Sequence, residues 1–227
     1  MCSPALAING VNKCILKPVI QETFLCLDYG VKLNTLERSQ FLIWAKQPME
    51  KQSLLLISGS LRRGSYNRML AAEAARYYGV EPICADIDLP LYNGDVESAD
   101  GVPDSVKRVA NQIDQASAVV ISTPEYNQSL SGVLKNALDW VSRVDGNPWA
   151  DKPVAILSAA AGRAGGARAQ YALRLAMNPF QPRLLTGPEV MVSNPSAEFD
   201  DDNRLINERY QKALTRLMHK LRLEADR

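Results

Sequence analysis

The stretch Ser53-Leu-Leu-Leu-Ile-Ser-Gly-Ser-Leu-Arg-Arg-Gly-Ser-Tyr-Asn67 decides how the rest of the chain is read. Residues 53–58 form a short apolar run bounded by a glycine, which is the signature of a strand buried on both faces. The Ala-rich residues 67–78 that follow predict a helix. A buried strand that enters a helix through a polar, glycine-bearing loop is the opening unit of a parallel α/β sheet.

The same alternation continues to the C-terminus. Residues 80–85 are expected to be a second strand, followed by a loop holding Leu89-Pro-Leu-Tyr-Asn-Gly94. Pro103 opens a second helix, at a position where proline is well tolerated. Residues 118–123 read as a third buried strand. The helix over 131–144 carries Val133, Leu134, Ala137, Leu138 and Val141 as an apolar stripe. Residues 153–158 are a fourth strand, and 165–177 a helix. A fifth strand ends in Val190-Met-Val-Ser193. The last helix is expected from about Asn203, with Ile206, Tyr210, Leu214, Leu217 and Leu221 on one face. These units imply an α/β, doubly wound, five-stranded parallel sheet in the flavodoxin-like order 2-1-3-4-5. Ligands of such sheets bind outside the carboxyl ends of the strands, near the reversal of strand order. The loops after strands one, three and four should therefore meet in one cleft.

Residues 1–48 look different, because they show no sustained period and contain Cys2, Cys14 and Cys26. They lack the ordered regions of a secretory signal, and Glu22, Asp28 and Glu37 argue against a mitochondrial presequence. They are expected to be an appended or mis-started extension, poorly ordered or lying on the surface. The functional domain is expected over 49–227, with Met49 as its natural start.

Composition narrows the function classes. With 46% hydrophobic and 22% charged residues, the 227-residue chain has enough apolar material for a full core. Lys and Arg total 26 against 25 for Asp and Glu, a net charge of +1. That balance provides no field for binding nucleic acid or an anionic membrane, and it disfavours a small acidic electron carrier. The apolar runs fall far below the roughly 20 residues of a membrane span. The four cysteines, Cys84 included, form no Cys-x-x-Cys pair, and the chain reads as reduced and cytoplasmic. The single histidine, His219, lies in the basic segment Arg216-Leu-Met-His-Lys and reads as a solvated surface residue. A His-based triad or a metal centre is not expected, so no catalytic side chain is named and a cofactor should supply the chemistry.

Three loops carry the candidate site. Ser58-Gly-Ser-Leu-Arg-Arg-Gly-Ser-Tyr-Asn67 offers backbone N–H groups at a helix N-terminus, hydroxyls from Ser60 and Ser65, and the planar donor fork of Arg62. This donor set suits a terminal phosphate monoester. The loop matches neither the Walker A pattern nor Gly-x-Gly-x-x-Gly, and it could also be a polar strand–helix turn with no ligand. Thr123-Pro-Glu-Tyr-Asn-Gln-Ser-Leu-Ser-Gly132 begins stiffly at Pro124 and places Tyr126 at the mouth of the cleft. Residues 127–130 can present N–H groups to a heterocycle. Glu125 is placed either to accept a ring N–H or to hold the loop together. Ser158-Ala-Ala-Ala-Gly-Arg-Ala-Gly-Gly-Ala-Arg168 has small side chains that let a flat ring approach the backbone. Arg163 reads as a surface residue that could also meet the phosphates of a nicotinamide nucleotide or an anionic acceptor.

Gly59-Ser-Leu-Arg-Arg-Gly-Ser-Tyr-Asn67 resembles the phosphate loop of the NADPH-dependent FMN reductase family. Pro124-Glu-Tyr-Asn127 with Gly132-Val-Leu-Lys-Asn-Ala-Leu-Asp-Trp-Val-Ser-Arg143 resembles its isoalloxazine loop and following helix. Gly165-Gly-Ala-Arg-Ala-Gln-Tyr171 and Pro188-Glu-Val-Met191 look like later segments of the family, and the likeness runs over about 49–221. The resemblance implies FMN as cofactor, NADPH or NADH as electron donor, and a small-molecule acceptor such as a quinone, chromate, an azo compound or free flavin. It places Ser60, Leu61, Arg62, Ser65, Tyr66 and Asn67 around the FMN phosphate, and Pro124, Glu125, Tyr126 and Asn127 along the ring. Ser158, Ala160 and Gly162 complete the expected contacts. Some members carry a Ser or Thr after strand four that touches FMN, where this chain has Ala159 and Ala160. Many carry Pro where this chain has Ser131. Arg168, Tyr171, Arg174 and Glu189 match positions often found at subunit contacts, so a homodimer or homotetramer is expected. A non-enzymatic flavoprotein and a phosphate-binding regulatory domain are the competing readings.

Overall fold

The computed structural model describes residues 52–227. The expected extension over 1–48, the domain boundary beside it, and Cys2, Cys14 and Cys26 lie outside the described residues.

Strand β1, Leu54–Ser58, leads into helix α1, Tyr66–Tyr78. Ser65 caps α1 by accepting the Asn67 N–H, and Gly79 ends the helix at φ 85°, a left-handed conformation that glycine adopts at no steric cost. Strand β2 is only Ile83–Cys84, shorter than the expected 80–85, and both residues are exposed. It is an edge strand, and Pro82 just before it has no N–H to donate. Helix α2, Gly94–Asp100, lies in what reads as loop. Its signal was the Asn93 cap, whose side chain accepts the Asp95 N–H at 2.9 Å.

Helix α3, Asp104–Gln115, starts one residue after Pro103. Strand β3, Ala118–Thr123, is buried at every position. Helix α4, Gly132–Val141, begins after the Ser131 cap. Strand β4, Pro153–Ala160, runs two residues beyond the expected 153–158. Helix α5, Ala167–Met177, starts after Gly165 and Gly166, both at positive φ. The expected fifth strand is two short ones, β5, Arg183–Leu184, and β6, Val190–Ser193. Helix α6 is Glu208–Ala225 and begins five residues later than expected. Before it, Phe199 and Leu205 form an antiparallel bridge, and Asp200 Oδ1 accepts the N–H groups of Asp202 and Arg204. These local bonds compete with the helix until Asn207 caps it.

The sheet is parallel in the order β2-β1-β3-β4-β5, with β6 also paired to β4. The flavodoxin-like order is as expected, with its fifth position divided along β4. Alternate strand residues feed opposite cores. Leu54, Leu56, Val120 and Leu157 pack with α1 and α6, while Leu55, Ile57, Ile121 and Ile156 pack with α3, α4 and α5. Both faces are covered, which is why these strands read as continuous apolar runs. Among the described residues, no helix is long and apolar enough to cross a membrane. His219 is exposed, as its basic segment predicts.

Candidate functional site

The ends of β3 and β4 are joined to the start of α1 by one side chain. Asn67, only 3% exposed, donates from Nδ2 to the Ala159 carbonyl at 2.9 Å. Its Oδ1 accepts the Ala159 N–H and the Ser122 hydroxyl, each at 2.9 Å. A second clamp comes from Ser131, whose hydroxyl donates to the Gly59 carbonyl at 2.6 Å and accepts the Leu134 N–H. A side chain at Gly59 would meet Ser131 Oγ at 3.1 Å, so glycine lets these two loops touch. Ser122 and the Ser131 clamp escaped sequence reasoning. The legible part was Ser131 as the start of a helix.

The loop after β1 is built as a donor surface. Ser60 is 5% exposed, yet its hydroxyl has no partner among the described residues. Its carbonyl is held by Ser58 Oγ at 3.3 Å and Arg68 Nε at 3.2 Å. The N–H groups of residues 61–66 have no acceptor among the described residues. Ser65 Oγ accepts from Asn67, which leaves its proton to donate. Leu61 and Arg62 are exposed. Tyr66 stacks on Phe199 with ring centroids 5.9 Å apart, a neighbour that lies far along the chain and was not anticipated.

The loop after β3 is a small hairpin. Tyr126 and Ser129 exchange N–H···O bonds of 3.1 and 3.0 Å around Asn127 and Gln128. Both turn residues have positive φ, 48° and 63°, as a two-residue I′ turn requires. The Ser129 N–H is therefore committed to Tyr126, whereas those of Asn127, Gln128 and Leu130 have no acceptor among the described residues. Pro124 is buried beneath the turn. The Tyr126 ring is 49% exposed at its rim. Glu125 points to the helix beside it: Oε2 accepts the N–H groups of Arg168 at 3.0 Å and Ala169 at 3.3 Å. Gly166 leaves α5 with no cap of its own, and Glu125 takes that role from a different loop.

The loop after β4 is held from below. Ser158 is fully buried, donating to the Gly165 carbonyl at 2.6 Å and accepting from Gln170 Nε2 at 2.9 Å. Gln170 also reaches the Val190 carbonyl at 2.9 Å, tying β6 to the same loop. Ala160 is partly exposed and Gly162 exposed, with no atom within 4 Å of a side chain placed at Gly162.

The model of NADPH-dependent FMN reductases matches residues 53–197. Over 173 residues the chain is 44% identical to an NAD(P)H-dependent FMN reductase of Pseudomonas aeruginosa, spanning 75% of this chain and 93% of that protein. It is 45% identical over 148 residues to a quinone reductase of Escherichia coli K12, spanning 63% of this chain and 78% of that one. Among solved structures it resembles FerB, a flavoenzyme NAD(P)H:(acceptor) oxidoreductase from Paracoccus denitrificans. The TM-score is 0.70 at 31% identity, covering 77% of this chain and 97% of that one.

The chain belongs to the NADPH-dependent FMN reductase family.

The residues present fit the cofactor of such a reductase. A Ser60 hydroxyl without a partner among the described residues, open N–H groups and the N-terminus of α1 suit a phosphate dianion. The open space over Gly162 and the exposed Tyr126 ring suit a flat heterocycle. Ser158 and Asn67 are different, because the hydrogen bonds above engage their polar groups within the protein.

Proposed function

We propose that the protein is an FMN-dependent NAD(P)H oxidoreductase that passes two electrons to a small acceptor such as a quinone. The observation that carries this reading is the convergence at one sheet edge of a loop with unspent phosphate donors and a loop with an exposed aromatic turn. When bound, FMN supplies the hydride chemistry.

The chain's own part is positioning. Ser60, Ser65, Arg62 and the N–H groups of residues 61–66 hold the phosphate, with Leu61 and Tyr66 flanking it. Pro124, Tyr126 and Asn127 border the ring. Ala160 and Gly162 leave it room, and Ser158 fixes their loop through Gly165 and Gln170. Asn67 sets the spacing between the phosphate loop and β4, and Glu125 anchors the ring loop to α5. The N-terminus of α4, beside the ring loop, favours the negative charge that flavin gains on reduction. Such preorganised donors and dipoles lower a barrier without an acid–base side chain.

The same reading includes a homodimer or homotetramer. Tyr171 and Leu175, four residues apart on α5, are 56% and 72% exposed, an apolar pair that a second copy would cover. Sedimentation of the native protein and of Tyr171→Glu checks this, with a smaller species expected for the variant.

Anaerobic stopped-flow mixing of the FMN-loaded protein with NADPH and with NADH tests the activity. Bleaching of the oxidised flavin band is expected with at least one donor, followed by recovery on adding a quinone. A flavin that stays oxidised with both donors overturns the reading.

A further inference from the structure

We propose that Arg163 and Arg209 form the subsite for a phosphate monoester dianion, the 2′-phosphate of NADPH, and that they set the preference for NADPH over NADH. This rests on the reading of the protein as an NAD(P)H oxidoreductase.

The two arginines border a pocket of about 300 Å³ with Ala164, Glu189, Met191, Ser193, Tyr210 and Ala213. It lies at the sheet edge, between the loop after β4, strand β6 and the first turns of α6. Both arginines are exposed, and neither guanidinium has a carboxylate or carbonyl partner among the described residues. Arg76, Arg143, Arg183 and Arg204 pair with carboxylates, whereas Arg163 and Arg209 are among the arginines left without such a partner in the described residues. Two arginines that line one small cavity without carboxylate partners suit a dianion, which guanidiniums can grip through paired N–H groups.

The remaining lining fits the rest of a phosphorylated ribose. The Tyr210 oxygen accepts the Ser193 N–H at 3.2 Å and lies 3.1 Å from the Ser193 hydroxyl, so two hydroxyls are held at the cavity wall. Glu189 adds a carboxylate, an acceptor suited to a ribose hydroxyl, while two cations outweigh its single charge. Where proteins distinguish the two nicotinamide dinucleotides, acidic side chains take ribose hydroxyls and arginines take the 2′-phosphate.

The pocket is also in reach of the flavin loop. Arg163 is three residues beyond Ala160, so their backbones are within about 11 Å. A dinucleotide lying along this loop would span both places. The position of Arg163 was legible in the sequence as a possible phosphate contact. Arg209, 46 residues away on another element, comes to it only through the packing of α6 against β6.

The test uses the FMN-loaded protein, its Arg163→Ala and Arg209→Ala variants, and the double variant. Calorimetry with 2′,5′-ADP and with 5′-AMP isolates the 2′-phosphate. The expected result is tighter binding of 2′,5′-ADP by about tenfold or more, and loss of that margin in the double variant. Steady-state rates should follow: kcat/KM for NADPH falls about tenfold, while that for NADH stays within about twofold. Neither guanidinium bonds to the fold, so melting temperatures should be unchanged. Equal binding of 2′,5′-ADP and 5′-AMP, or equal loss with both donors, overturns the proposal. So does inorganic phosphate binding as tightly as 2′,5′-ADP, which would make this a site for free anions. A protein whose flavin is reduced equally by NADPH and NADH also overturns it, yet leaves the oxidoreductase reading standing.

Discussion

The side-chain amide of Asn67 pairs with the backbone of Ala159 through two bonds, one donated and one accepted, each 2.9 Å long. The two residues are 92 positions apart, and the pair joins the start of α1 to the end of β4 inside the sheet edge. Asn67→Ala would leave the N–H and carbonyl of Ala159 and the Ser122 hydroxyl without this partner. Unpaired buried groups cost about 1–3 kcal/mol each, so a stability loss of roughly 2–4 kcal/mol is expected after relaxation. Denaturant titration of the apoprotein measures that loss. FMN affinity should weaken in step, because the two cofactor loops lose their common tie.

Ser60 and Arg62 should affect FMN and little else. Neither side chain holds the fold together, since the Ser60 hydroxyl has no partner among the described residues and Arg62 is exposed. Removing one hydrogen bond to a charged phosphate costs about 1.5–3 kcal/mol, or about tenfold to a hundredfold in the dissociation constant. Fluorescence titration of apoprotein with FMN and with riboflavin separates the phosphate from the ring. Ser60→Ala should weaken FMN and leave riboflavin unchanged, and a parallel loss of both would contradict a phosphate role.

Glu125 accepts two N–H groups at the start of α5, so Glu125→Ala removes a helix cap. A loss of about 1 kcal/mol is expected, read as a lower melting temperature of the FMN-free protein. Glu125→Gln keeps an acceptor oxygen and should recover part of that loss. If Glu125 acted on the flavin ring alone, the apoprotein would melt unchanged.

Acid should loosen the segment before α6 through Glu73, which is 1% exposed on α1. Arg76 grips its carboxylate at 2.9 and 3.0 Å, Arg204 at 3.1 Å, and the Leu205 N–H at 3.3 Å. Burial pushes the carboxyl up, but these hydrogen bonds and the Arg76 charge outweigh it and hold Glu73 below the ordinary carboxylate range. A depressed folded pKa adds stability that is complete above the unfolded value, about 4.3. That contribution fades as pH falls toward the folded value. The melting temperature of the native protein should therefore drop more between about pH 6 and pH 3.5 than that of Glu73→Gln.

Gly166 sits at φ 93°, and a side chain there would come within 2.7 Å of Ser158 Cβ. Gly166→Ala combines overpacking with a strained backbone, so a loss of about 2–3 kcal/mol is expected. The loop after β4 would shift with it, so FMN affinity should fall as well. Urea unfolding and FMN titration check the two effects.

The sequence alone determined the class of fold and pointed to the loops of the candidate site. The buried runs at 54–57 and 118–121 read as strands covered on both faces, and a parallel sheet follows from helices set between them. The polar loops at their carboxyl ends then had to share a cleft. Ser65 was legible as a loop hydroxyl and Ser131 as the start of a helix, and the structure shows both as helix caps, a local bond between near neighbours. Tertiary structure decided what sequence spacing does not encode. Asn67 and Ser158, both expected at the flavin, bond to protein atoms that only the sheet brings within reach. Glu125 was equally suited to a ring N–H or a loop contact, and the end of α5 beside it selected the second. The division of the fifth strand, the late start of α6 and the presence of Arg163 and Arg209 around one pocket likewise depend on which elements pack together. A side chain's chemistry can be read from its type, but its partner is set by distance in space.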